Sequence, residues 1–353
     1  MNDPIANPAM MVFAMDPLLS SNACVSGFEA GLEQEGRRRL LAAYYLLDRQ
    51  HATFFGRSIS TKASFSPDSL PFPRHRDLWD TMITQQLTPY GYDPDAPPYE
   101  FMLQALMAAR SKSDASDEPH DIFASNVLLV GLLEDAQLGA NAMGSEEQTD
   151  CFELVAESTP RSKLVYHATA LCKHTPIRDL LAVAGESWIM AEKMRNQADY
   201  SAAQLNLRNW ASEFQDDSSD SHFALKHALE IFKIHQHCTR PGLLFDDWTL
   251  HLASIVVWAK AYNSIETRRR PCESVSGPTE PSESSHEVQQ AVTRVVRAGA
   301  DAPISWKDAK RVLLWSKAKL ERANAAHACG LTNGALDVLG KLISRGDEEG
   351  CWF

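Results

Sequence analysis

Closely spaced cysteines are missing from this 353-residue chain. Its seven cysteines, Cys24, Cys151, Cys172, Cys238, Cys272, Cys329 and Cys351, are scattered, and the nearest pair is Cys151 and Cys172. No CxxC occurs, so local spacing builds neither a six-cysteine zinc cluster nor a C2H2 finger. An odd, dispersed set also argues against a secreted disulfide framework. Long uncharged apolar runs are lacking. The Met-rich stretch from Pro8 to Leu19 is short, is broken by Asp16 and has no basic leader, so it reads as neither a signal peptide nor a membrane helix. Positive charge is in deficit: 34 Lys and Arg face 46 Asp and Glu, a net charge of −12. DNA affinity rests largely on neutralising phosphates, so an acidic chain is a poor bulk DNA binder. Sustained period-2 alternation and hairpin signals are missing too, as are GxGxxG, Walker A, GxSxG and HExxH patterns. The expectation is a soluble, intracellular, all-α protein with no cofactor and no enzymatic activity.

Helical periodicity is what remains. Apolar residues make up 44% of the chain and charged ones 23%, ordinary values for a globular core. Leu40, Tyr44 and Leu47 stand at i, i+4 and i+7, widened by Leu41 and Tyr45, and predict a buried stripe. Ile177, Leu180, Leu181, Ala184, Trp188 and Ala191 predict a longer helix, with Thr175 as its cap, Pro176 at its first position and Gly185 within it. Further stripes run through Leu225, Leu229 and Phe232, and through Leu252, Ile255, Val256, Ala259 and Tyr262. Ser305 with Asp308 forms a capping-box-like start for a helix bearing Ala309, Leu313 and Leu320. Ala335, Val338, Leu339 and Leu342 mark a last helix after a break at Gly330 to Asn333. Ser58 to Pro73 and Ser111 to Pro119 read as loops. The Pro-, Ser- and Glu-rich stretch from Thr267 reads as a disordered linker.

Several clusters carry possible chemistry, each with a plainer reading. Asp216-Asp217-Ser218-Ser219-Asp220 spells DDxxD, which in a terpenoid synthase-like enzyme holds Mg²⁺ and a diphosphate on hard carboxylate oxygens. Its Ser-Ser interior and acidic setting favour a solvated loop, and no second metal motif follows. His235, His237 and Cys238 offer zinc-type donors, with His222 or His227 as further ligands; a helix C-terminus before Pro241 is the plainer reading. Asp246-Asp247-Trp248 reads as the N-terminal cap of the next helix. Cys172 lies near His167 and His174, but on the apolar side with Leu164 and Ala168, so it reads as a buried structural thiol. Arg268, Arg269 and Arg270 are a candidate nuclear import run. Arg37, Arg38 and Arg39 open a helix with Asp48 three turns beyond, too far along one helix for pairing with Arg37, so partners from elsewhere are expected.

An ordered series of segments resembles the fungal-specific transcription factor regulatory domain. Glu33-Gln34-Glu35-Gly36-Arg37-Arg38-Arg39-Leu40, Tyr45-Leu46-Leu47-Asp48 and Gly56-Arg57 look like its arginine-aromatic-aspartate helix. Leu70-Pro71-Phe72-Pro73 before Leu78-Trp79 looks like its next element. His174-Thr175-Pro176-Ile177, Leu180 to Gly185, Ser187-Trp188 and Lys193 are similar to a later signature, followed by Leu205 with Trp210, Ala224 to Leu229 and Ala253 to Tyr262. Ala335-Leu336-Asp337-Val338-Leu339 is similar to the C-terminal helix. The resemblance implies a multi-helix regulatory domain, nuclear location and control of transcription, here of a metabolic or secondary-metabolite gene cluster. It also implies other transcription factors or the transcription machinery as partners, with homo- or heterodimers among the possible assemblies. The chain departs from the family in lacking the zinc module, so it is expected to be the later part of such a factor, or a member without that module. It would then reach DNA only indirectly, and a non-functional truncated factor is an alternative. The expected organisation is a tail over 1–27, the regulatory body over 28–266, a linker over 267–300 and C-terminal helices over 301–353 that pack back on that body.

Overall fold

The structure is a computed structural model that describes residues 27–55, 73, 123, 126–127, 129–131, 160–185, 196–214, 216–237, 244–266, 284–326 and 330–348. Gly56, Arg57, Pro71, Trp79, Trp188, Cys238, Arg268, Arg269 and Arg270 lie outside them. Among the described residues all regular secondary structure is helical and no strand occurs, so the all-α class holds. The helices are α1 (Gly27–Phe55), α2 (Pro160–Lys173), α3 (Ile177–Ala184), α4 (Gln197–Ser212), α5 (Asp220–His237), α6 (Leu244–Glu266), α7 (Ser285–Ala298), α8 (Trp306–Ala326) and α9 (Gly330–Glu348). Among these residues no helix is long and apolar enough to cross a membrane. The chain forms two compact units, one of Met1–Ala52 with Ser58–Tyr166, the other of Thr53–Arg57 with His167–Phe353. The boundary at Tyr166 falls inside the 28–266 segment that the sequence reads as one body.

In the first unit, α1 buries a face other than the leucine stripe. Glu35, Arg38, Ala42, Tyr45 and Arg49 are buried at alternating three- and four-residue steps. Leu40 is 57% exposed and Leu47 49% exposed, which corrects the expected core stripe. The arginines make this inversion possible. Arg39 Nε donates to Glu35 Oε1 at 3.0 Å, and the Arg39 guanidinium lies over the Phe123 ring. Arg49 Nη1 donates to Asp48 Oδ2 at 3.1 Å, and its head stacks over Tyr45 at 4.8 Å. Long arginine stems cover apolar surface while their planar heads pair and stack, so an apolar stripe is not the only helix face that can be buried.

The second unit is built around α6. All its described side chains from Trp248 to Tyr262 are buried, and a helix apolar all round belongs at the centre of a core. It packs against α5, α8 and α9, and also against α4 and α3. Phe54 and Phe55, at the end of α1, meet Phe245 and Trp248 of α6 at 5.7 and 5.2 Å between ring centres. Helix α6 begins at Leu244, so Asp246 and Asp247 sit within its first turn instead of capping it. Both still face the positive end of the helix dipole.

Other helix ends also differ from the sequence reading. Thr175 Oγ1 donates to the Leu171 carbonyl at 2.6 Å and so closes α2; it does not cap α3. Pro176 stands at the cap position of α3 with no side-chain cap. Gly185 is not within a helix. It terminates α3 at φ 102°, and its N–H bonds back to Ala182. That left-handed stop ends the Ile177 stripe at Ala184, and Trp188 and Ala191 lie outside the described residues. The expected linker over 267–300 contains α7. Ser284 and Glu287 cap it reciprocally, and Ala291, Val292 and Val295 are buried on the helix, which packs on α8. The expected break at Gly330 to Asn333 is instead the first turn of α9. The start of α8 matches its sequence signal: Ser305 accepts from the Asp308 N–H at 3.1 Å, and Asp308 reaches Arg294 of α7.

Gly185 yields a stability prediction. A Cβ there meets nothing within 4 Å, so the cost of Gly185→Ala is purely that of forcing alanine into the left-handed region. Urea unfolding should show a loss of about 1 kcal/mol with an unchanged slope.

Candidate functional site

The DDxxD run is a turn followed by a helix start, not a helix wall. After α4 the chain turns through Asp216 to Ser219. Asp216 Oδ1 accepts from the Ser218 N–H at 2.9 Å and from the Ser218 hydroxyl at 2.7 Å, and these bonds hold its carboxyl below the usual range. The buried Ser219 hydroxyl donates to the Glu213 carbonyl and accepts the His222 N–H, which caps α5. Asp220 is the first residue of α5, and its Oδ1 lies 2.7 Å from Nδ1 of His174. Asp216 is thus spent on the turn and Asp220 on the end of α2, so a joint Mg²⁺ cradle is not assembled from them.

Asp217 has a different setting. It is exposed, and its Oδ1 stands 3.7 Å from Nδ1 of His222, which is only 1% exposed. Nε2 of the same ring stands 3.6 Å from Oδ1 of Asp301, in the turn between α7 and α8. Neither ring nitrogen makes a hydrogen bond. Behind them Lys260 of α6 is 1% exposed, and its Nζ donates to the Phe214 carbonyl at 3.2 Å and lies over the Phe214 ring. Burial depresses the Lys260 pKa, and the Asp301 charge works in the opposite direction.

A second cluster joins α2 to α5. Nδ1 of His167 and Nδ1 of His227 are 2.9 Å apart, so one must donate and the other accept. His174 stacks parallel to His227 and packs on Phe223. Burial, together with the charges of His167, His174 and Lys226, lowers the His227 pKa to about 3. The donors once grouped with His235 separate on the helix. His222 and His227 lie in the first half of α5, whereas His235 and His237 close it. His235 is buried, with a pKa lowered to about 4 by desolvation and then by Lys319, against the bond its ring donates to the Asp246 backbone carbonyl. His237 is exposed and bonds the Lys233 carbonyl at 2.8 Å. Steps of two residues point to different helix faces. Cys172 is buried, and burial pushes its thiol pKa up, the opposite of an activated nucleophile.

No family model, curated protein or solved structure matches the chain. Two of the signature positions have clear structural work. Trp210 Nε1 donates to the His174 carbonyl at 2.9 Å, pinning α4 to the end of α2, and its ring meets Phe214 edge-on at 4.9 Å. Gly185 supplies the left-handed stop. Sequence reasoning missed Lys260 and Asp301. Lys260 reads as one polar position in an apolar helix, and Asp301 follows a helix concealed by a linker-like composition. His167 and His174 stand seven residues apart, a same-face helical spacing, but only α5 brings His227 to them.

The histidines set a pH dependence. An exposed histidine titrates near 6.5, whereas His227 and His235 stay neutral in the fold until about 3 and about 4. Below pH 6.5 the unfolded chain takes up protons that the folded chain refuses. Their contribution is therefore intact above 6.5 and is lost as pH falls towards 4 and 3. Asp247 acts oppositely: burial and then Asp246 raise its pKa to about 6, so its protonation favours the fold as pH falls below that value. Urea midpoints measured from pH 7 to 4.5 should decline. His235→Gln should flatten the decline by an amount on the order of 2 kcal/mol, and Asp247→Asn should steepen it.

Proposed function

We propose that this chain is a regulator of transcription that works in the nucleus as a helical body of the fungal-specific regulatory type. It acts through contacts with other transcription factors or the transcription machinery, and its targets belong to a metabolic or secondary-metabolite gene cluster. The observation that carries this reading is the outward face of α1. The segment with the family-like arginine run buries Arg38 and Arg49 and leaves Leu40 and Leu47 outside, seven residues apart on one face. An exposed apolar stripe at helical spacing suits a partner helix better than a small substrate. The net charge of −12 favours a protein partner over direct contact with the DNA backbone. The engagement of Asp216 with Ser218 and of Asp220 with His174 weighs against the terpenoid synthase-like reading.

The test fuses the full chain to a heterologous DNA-binding module upstream of a reporter. Transcript levels should change several-fold, and the untethered chain should accumulate in nuclei and co-purify with a transcription factor. Leu40→Glu with Leu47→Glu should abolish both the reporter effect and co-purification while leaving helical circular dichroism intact, because both side chains face solvent. A folded chain that stays out of the nucleus and leaves the reporter unchanged sinks the proposal and favours a non-functional truncated factor.

A further inference from the structure

We propose that Asp217, His222 and Asp301 form a divalent transition-metal site, with Zn²⁺ as the best-matched ion, that ties the turn before α5 to the turn before α8. This inference is independent of the role in transcription. One donor atom from each of the three residues lies within 4.8 Å of the other two. Zinc bonds to imidazole and carboxylate are about 2.0–2.2 Å long, so neighbouring donors in a tetrahedral site stand roughly 3.5 Å apart. Nδ1 of His222 is 3.7 Å from Asp217 and Nε2 is 3.6 Å from Asp301; an ion binds one of the two nitrogens, and the exposed carboxylate on the other side reaches it by rotating its side chain.

His222 is the independent observation. Its side chain is 1% exposed, both ring nitrogens are buried, and neither has a hydrogen-bond partner. Each nitrogen faces a carboxylate oxygen at a distance too long for a hydrogen bond. A buried imidazole with no partner is costly, and a metal ion relieves that cost directly. One nitrogen takes the ion and the other keeps its proton. Two carboxylates balance a divalent charge. The mixture of imidazole and carboxylate suits zinc and its first-row neighbours, and it lacks the all-oxygen shell preferred by Mg²⁺. Water completes the coordination on the exposed side of Asp217 and Asp301, and the nearby Lys260 ammonium moderates the affinity. Asp217 and Asp301 come from segments on either side of α5, α6 and α7, so the ion would staple two turns that are distant in the chain.

Zn²⁺ is titrated into the purified full chain against a chromophoric zinc chelator, and thermal unfolding is followed with Zn²⁺, with Mg²⁺ and with neither. One high-affinity Zn²⁺ should bind per chain and raise the melting temperature, and Mg²⁺ at the same concentration should not. Asp217→Asn and Asp301→Asn should each weaken binding roughly 10-fold or more and remove the zinc-dependent rise. Both side chains are exposed, so these variants should keep wild-type circular dichroism without metal, even if replacing the buried His222 prevents folding. Co²⁺ in the site should give ligand-field bands without thiolate charge transfer. The proposal is overturned if both aspartate variants bind Zn²⁺ as the parent does, which would put the ion on other histidines or cysteines. It is equally overturned if Zn²⁺ neither saturates a site nor shifts melting.

Discussion

Helix α6 offers water no face between Trp248 and Tyr262. Burying a large apolar side chain contributes about 1.5–3 kcal/mol, and Trp248, Leu252, Ile255, Val256, Trp258 and Tyr262 all draw on that term. The surrounding helices follow from it, because α5, α8, α9, α4 and α3 supply the walls that exclude solvent. Several polar groups buried on or beside this helix find partners. Thr249 donates to Asp246, and Ser254 bonds both Leu250 and Ser316 of α8. Lys260 directs its ammonium to the Phe214 carbonyl. Each of these bonds removes a penalty that an unpaired buried group would incur.

Those internal bonds reach outward to the acidic turn. Lys260 holds Phe214, Phe214 packs on Trp210, and Trp210 holds the His174 carbonyl at the end of α2. The turn from Asp216 to Ser219 hangs from this buried chain of contacts, and Ser219 then starts α5. The position of Asp217 and His222 is therefore a consequence of core packing. Hydrogen bonding refines it: Asp216 is taken up by Ser218 and Asp220 by His174, and Asp217 is left with its carboxylate nearest the His222 ring.

Local signals with a short range were the legible part. The Ser305–Asp308 start of α8 and the apolar stripes of α5, α6 and α9 appear in the structure as the sequence indicates. The Ser284-Ser285-His286-Glu287 box was also readable, but its Pro- and Ser-rich approach disguised α7 as linker. The leucine stripe of α1 misled because periodicity reports that a helix has faces without saying which one meets the core. Arginine stems displaced leucines from the inside. Gly185 misled for a related reason. A glycine within an apolar pattern is compatible with a helix interior or a helix end, and only its φ of 102° distinguishes them.

The sequence by itself determined the helical class, most helix-forming segments and the acidic character that disfavours direct DNA contact. These depend on periodicity, on capping within three or four residues and on summed charge, all of which act along the chain. The tertiary structure alone decided which face of α1 is buried, that the DDxxD carboxylates divide between a turn, His174 and His222, and that Asp301 and Lys260 belong beside them. The contacts of Asp220 with His174, of Lys260 with Phe214 and of His222 with Asp301 join residues 46 or more positions apart, which only the packing around α6 brings together.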